Sequence, residues 1–319
     1  MKYRRQDAKD YARANLRGIW AATLTPFTAD LRLDESGWQR NLRHWYRDLG
    51  IAGLFVNGKQ GEFSSMTVAE RKRAAEIAVD AAGGDRGVMV SCSDQSLDAV
   101  VELAKHAQTI GADYIVVHTP LLYFGAHTSD TLYEYYRYIA EQVDLGIALW
   151  NQPPDCGYLL EPEVCLRIAE LPNVVAIKYS VPRETYSHLT RIAGDRLIVS
   201  TSNEEHWLEN IVELGWQVYL CSTPPYLMQT AADRRMHEYT ELAFRGEVDR
   251  ARSVRDSLAP VRQALRESRP AGKAAAPQKY WQELLGQTGG PVRRPLLGLT
   301  EAEKASTRAA LESCGLRRS

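Results

Sequence analysis

The sequence predicts an α/β protein, a (β/α)8 TIM barrel with a helical C-terminal appendix. Two observations carry that reading. Eight short apolar runs, rich in Val, Ile, Leu and Tyr, each end in small or polar residues, and single amphipathic stretches separate them. Near-continuous apolar strands alternating with helices indicate a parallel sheet covered on its outer face. Eight such units over about 210 residues fit a closed barrel. A doubly wound open sheet is the alternative, and the lack of a GxGxxG turn after the first strand counts against it.

The first strand is expected in Gly18–Phe27, stopped by Pro26. The others fall at Gly53–Asn57, Val88–Cys92, Tyr114–Thr119, Ile147–Asn151, Val174–Ser180, Leu197–Ser202 and Val218–Ser222. Helices are expected at 35–48, 67–82, 96–110, 129–143, 161–170, 184–193 and 204–214, with Ser96 and Ser129 as caps and a Thr67–Glu70 capping box. Glycines at 50, 111 and 215 close three of them. This assigns 1–228 to the barrel, with a short N-terminal leader, and 229–319 to a C-terminal helical domain. Its helices are expected at 229–244, 247–267, 278–286 and 301–313, and the Pro/Gly/Ala-rich stretch 269–277 reads as a mobile linker.

Composition narrows the partners. The 319 residues hold 39 basic and 40 acidic side chains, so there is no electrostatic footprint for nucleic acid or a membrane surface. Small molecules are the expected ligands. Five scattered cysteines without CxxC spacing read as reduced thiols, and the charged N-terminus with no long apolar run points to a cytoplasmic protein. No clustered metal ligands and no dinucleotide turn are seen, so neither metal nor organic cofactor is expected.

In a barrel the working residues sit at the C-terminal ends of the strands. Those ends carry Thr25, the turn Gly58-Lys59-Gln60-Gly61-Glu62, Asp94, His118, Trp150, Asn151, Lys178, Ser202 and Ser222. Lys178 stands out. Burial on an apolar strand lowers an amine's pKa toward the range where it attacks a carbonyl. Period-two alternation places it on one face with Ala176 and Ser180, with Ile177 and Tyr179 toward the helices. The two glycines of the turn let backbone N–H groups approach an anion such as a carboxylate. Among other acid/base candidates, His118 has the most suitable ordinary pKa; Asp94, Tyr123 and Tyr226 are also considered, while His206 reads as part of a helix start.

The ordered set Thr25-Pro26-Phe27, the GxxGE turn, Thr119-Pro120, Asn151 with Pro153, and Ile177-Lys178 resembles the dihydrodipicolinate synthase and N-acetylneuraminate lyase superfamily. The tail Gly289–Leu297 followed by Leu299–Glu303 is similar to that family's ending, so the resemblance spans 17–315. It implies a class I aldolase in which Lys178 forms a Schiff base with a 2-oxo acid such as pyruvate. It also implies that the turn holds the acid's carboxylate, that an aldehyde is the second partner, and that the chain forms a homotetramer, a dimer of dimers.

The chain departs from the family pattern at four places. Lys59 and Gln60 replace paired threonines, and Trp150 stands where a tyrosine relays protons. Leu122 aligns with a second tyrosine, with Tyr123 one residue away, and Asp155 falls where an arginine binds the aldehyde's carboxylate. Lys178, Trp150 and Tyr123 are therefore the candidate catalytic residues. Thr25, the turn 58–62, Asn151, Ser202 and Ser222 are the candidate binding residues. The expectation is a lyase distinct from dihydrodipicolinate synthase, with a pocket made aromatic and apolar by Trp150, Leu121, Leu122, Tyr123, Phe124 and Tyr226. Hydration, dehydration or decarboxylation through the same imine, or binding of a 2-oxo acid without turnover, are the alternatives.

Overall fold

The computed structural model describes residues 2–121 and 127–317. Among them, eight parallel strands lie in the order β7-β6-β5-β4-β3-β2-β1-β8. The strands are β1 (Gly18–Ala22), β2 (Gly53–Val56), β3 (Gly87–Ser91), β4 (Tyr114–His118), β5 (Gly146–Asn151), β6 (Val174–Tyr179), β7 (Ile198–Ser200) and β8 (Val218–Leu220). Helix α1 (Ala8–Asn15) precedes them. The intervening helices are α2 (Glu35–Asp48), α3 (Val68–Ala82), α4 (Leu97–Ile110), α5 (Ser129–Gln142), α6 (Pro153–Cys156), α7 (Pro162–Ile168), α8 (Arg183–Ala193) and α9 (Trp207–Leu214). This is the expected TIM barrel.

Between β7 and β8 no backbone ladder is formed among the described residues. Instead the Ser200 hydroxyl donates to the Val218 carbonyl at 3.1 Å and accepts from the Leu220 N–H at 2.8 Å. One side chain therefore satisfies two backbone groups that a short strand leaves open.

At the base of the barrel the Trp20 indole fills the interior. A Cβ at Gly53 or Gly87 would come within 2.3 Å or 2.2 Å of its ring atoms, so both strands begin with glycine for want of space. The Tyr114 ring meets it edge-on at 5.6 Å, and in the neighbouring strands Ile115, Val116, Ile147, Ala148 and Val174 are fully buried. A large aliphatic side chain so enclosed contributes about 1.5–3 kcal/mol.

The C-terminal helices are α10 (Pro224–Leu227), α11 (Arg235–Phe244), α12 (Val248–Asp256), α13 (Ala259–Glu267), α14 (Ala276–Leu284) and α15 (Glu301–Ser313). Leu258, Val261, Leu265 and Trp281 belong to the same apolar core as the barrel. The helix expected over 247–267 is two helices, because Pro260 has no N–H to continue α12 and its ring clashes with the preceding turn. The helix expected from 229 begins at Arg235; a bridge between Thr230 and Asp233 occupies the start. The cap of α5 is Thr128, one residue before Ser129, in a reciprocal pair with Thr131. Of the stretch 269–277, Arg269, Ala271, Gly272 and Ala274 are exposed, Lys273 pairs with Glu303, and Ala275 and Ala276 are buried where α14 begins.

Candidate active site

The strand ends converge above β2–β6, and register decides which side chains meet. His118 of β4 lies opposite Trp150 of β5, and Trp150 lies opposite Lys178 of β6. The second pairing depends on a bulge: Ile147 faces Val174, but Ala148 faces Ala176, so Val175 is the extra residue. A one-residue slip exchanges the faces of a strand. The bulge thus sets Lys178 level with Trp150.

Lys178 is 2% exposed, and its Nζ donates to the Cys221 carbonyl at 2.9 Å. The amine lies 4.9 Å from the Phe55 ring centroid and 5.6 Å from that of Trp150. Burial pulls its pKa down to about 8; the neighbouring Asp155 opposes that shift and Lys59 assists it. At pH 7 roughly one molecule in ten then carries the free amine, against fewer than one in a thousand at the usual lysine value.

Trp150 is 2% exposed, stands edge-on to Phe55 and His118, and its Nε1–H has no partner among the described residues. It lines a cavity of about 610 Å³ with Lys59, Phe63, Met66, Arg71, Asp94, His118, Leu121, Pro154 and Asp155 among the other walls. Lys178 is not among the lining residues; its Nζ lies 5.6 Å from the centroid of the Trp150 ring that is. Both cations of the lining are engaged. Lys59 pairs with Asp155, and Arg71 pairs with Asp94 at 2.9 Å while donating to the carbonyls of Ser91 and Ser93.

The turn after β2 divides its residues between two jobs. Gly61 lies against Thr25: a Cβ there would sit 2.9 Å from Thr25 Oγ1 and 3.1 Å from the Thr23 carbonyl. Thr25 Oγ1 and Gln60 Oε1 are buried without a partner among the described residues. Buried polar atoms of this kind call for a ligand or water. Gly58 is buried beside the Phe55 ring. Glu62, with φ of 57°, turns away and pairs with Lys279 of α14.

Other expected site residues are placed elsewhere. The Asn151 amide is spent on its own loop, donating to Thr119 Oγ1 and the Tyr158 carbonyl and accepting from Leu160 N–H. Ser202 shares a hydrogen bond with Ser180 at 2.8 Å. Ser202 and Ser222 line a second cavity of about 300 Å³ with Glu204 and Arg262. Tyr226 is fully buried, donating to the Ala22 carbonyl at 2.7 Å and stacking on Trp45, so it is no part of the pocket. Leu122, Tyr123 and Phe124 lie outside the described residues.

Two contributors were not anticipated. Arg71 belongs to the buried stripe of α3 with Ala74, Ala75, Ala78 and Ala82. A charged residue at an apolar-face position was the available signal. Lys279 gave none, since its partner is remote in sequence.

The dihydrodipicolinate synthetase family model matches residues 15–314. The chain belongs to that family. It is 30% identical over 297 residues to 4-hydroxy-tetrahydrodipicolinate synthase of Methanothrix thermoacetophila, covering 92% of this chain and 96% of that one. Against the synthase of Methanopyrus kandleri the identity is 30% over 313 residues, with 94% and 97% covered. Among solved structures, dihydrodipicolinate synthase from Thermotoga maritima superposes with a TM-score of 0.82 at 28% identity, over 95% of this chain and 100% of that one. YagE from E. coli K12, a member of this family solved with pyruvate, gives 0.83 at 25% identity, over 94% and 99%.

Proposed function

We propose that the protein is a lyase that forms an imine between Lys178 and the ketone of a pyruvate-like 2-oxo acid, then makes or breaks a bond at C3. The observation that carries this is the Lys178 amine, buried between two aromatic faces at a strand end with its pKa drawn to about 8. An amine needs its lone pair to attack a carbonyl, and the protonated imine then acts as an electron sink. Thr25 Oγ1, beside the glycine turn, supplies an open hydroxyl for the acid's carboxylate. The pyruvate held by the related YagE supports the same ligand class.

The second partner is an aldehyde with an apolar or aromatic body rather than the substrate of the named synthases. Phe63, Met66, Leu121 and Trp150 give the cavity apolar walls, and both cations lining it are already paired. A carboxylate-bearing partner would have to break one of those pairs.

Incubation with pyruvate and borohydride, followed by intact-mass measurement, tests the reading. A reduced adduct is expected in the wild type and absent in Lys178→Ala. No adduct from pyruvate or any other 2-oxo acid would sink it.

A further inference from the structure

We propose that His118 takes and returns the proton at C3 of the Lys178-bound imine, a step that rests on the imine reading above. Three features of the structure converge on it.

The first is register. His118, Trp150 and Lys178 form one level across three adjacent strands, so His118 and Lys178 stand roughly 10 Å apart at the backbone, two strand spacings. The lysine arm, the bond from imine nitrogen to C2, the bond on to C3, and the imidazole span that distance together.

The second is tautomer. His118 Nδ1 lies 2.9 Å from the Thr119 carbonyl. A carbonyl only accepts, so Nδ1 carries the hydrogen and Nε2 keeps its lone pair. The ring is held edge-on against Trp150 at 4.7 Å, and the His118 N–H donates to Ser93 Oγ at 2.9 Å. An imidazole fixed at both its backbone and its Nδ1, on a residue that lines the cavity, presents Nε2 as a base.

The third is elimination among the neighbours. The Trp150 indole donates but does not take up a proton near neutrality. The hydroxyls of Tyr158, Tyr179 and Tyr226 donate to the carbonyls of Pro120, Leu160 and Ala22. The charged groups around His118 are Lys59 after β2, Arg71 on α3, Asp94 after β3, Asp155 on α6 and Lys178 on β6. Burial is the largest influence and lowers the His118 pKa, outweighing the Thr119 carbonyl and Asp155, which oppose it, with Lys59 assisting. The ring is therefore neutral at pH 7, as a base must be.

The step balances without a redox partner. Lys178 adds to C2 and water leaves, giving the protonated imine. The C3–H bond breaks, its proton passes to His118 Nε2, its electron pair becomes the C2–C3 double bond, and the C–N π pair returns to nitrogen as the enamine. The reverse transfer completes the cycle.

The test uses wild type, His118→Gln and Lys178→Ala in deuterated water with saturating pyruvate. Borohydride trapping reads the imine, and NMR reads deuterium entering C3. His118→Gln is expected to form the adduct as wild type does, showing an intact fold and lysine, while C3 exchange falls at least about 100-fold. The acid limb of the wild-type exchange profile, lying below the usual histidine value of 6.5, is expected to vanish in that variant. Exchange at the wild-type rate in His118→Gln, an unchanged acid limb, or adduct without any exchange in wild type overturns the assignment. Loss of the adduct in His118→Gln also overturns it, because the role would then precede the proton step. No adduct in wild type overturns the imine reading and this step with it.

Discussion

Glu62 and Lys279 form an ion pair at 2.5 Å with each side chain 1% exposed, joining the turn after β2 to α14. The Arg293 N–H adds a hydrogen bond to Glu62 at 2.9 Å, and Lys279 donates to the Pro291 carbonyl at 2.8 Å. Removing one member of such a pair strands a buried charge, at a cost of about 3–5 kcal/mol. Lys279→Met is expected to lose that much stability in urea unfolding, and Glu62→Gln in the same chain to recover more than half. A single variant within about 1 kcal/mol of wild type would show that the turn is held by something else.

Lys178 should weaken the fold it serves. Its pKa falls from 10.5 to about 8 on burial, which corresponds to about 3 kcal/mol; the hydrogen bond to Cys221 returns about 1. Below pH 8 both folded and unfolded chains are protonated and the deficit is full, whereas above 10.5 both are neutral and it is gone. Lys178→Met is therefore expected to be about 2 kcal/mol more stable at pH 7, with the gap closing as pH rises from 8 to 10.5. A gap independent of pH would assign the gain to packing instead of charge.

The groups around the amine should move its titration in known directions. The rate of imine formation with pyruvate is expected to rise with pH and level off above about 8. Trp150→Ala lets water reach the amine and relieves the burial that is the main cause of the shift, so the profile moves to higher pH. Lys59→Met also moves it up, by a fraction of a unit, and Asp155→Asn moves it down. Both partners are partly exposed, which screens their effect. Displacement of the two charge variants in the same direction would contradict the placement of this pair.

Ser200 is the expected weak point of the barrel. Its hydroxyl bridges Val218 and Leu220 across the gap between β7 and β8. Ser200→Ala is expected to cost about 1–3 kcal/mol by leaving those buried groups unpaired. The amide of Leu220 should lose hydrogen-exchange protection before those of β4 and β5. Unchanged protection there would mean that the seam closes by other means.

The alternation of apolar runs and helices gave the barrel, because burial on both faces of a parallel sheet writes itself into every strand. Lys178 was visible for the same reason: a charge in Val174–Tyr179 has no bland neighbours to hide among. What register and tertiary pairing decide was not legible. Glu62 reads as part of a ligand turn until Lys279 arrives from a distant helix, and Asn151 reads as a strand-end polar group until its loop folds back on it. The level shared by His118, Trp150 and Lys178 depends on the bulge at Val175, which period-two alternation within one strand does not reveal.

The hydrogen bond from Lys178 to the carbonyl of Cys221 starts on β6, passes β7 and ends just beyond β8. With Ser200 and with the Tyr219 hydroxyl on the Ser202 carbonyl, the lysine is thus a further stitch across that seam. An ammonium has three N–H bonds to distribute, and a protonated imine has one. The imine proposed for Lys178 would leave a single hydrogen to be divided between the stitch and the guest.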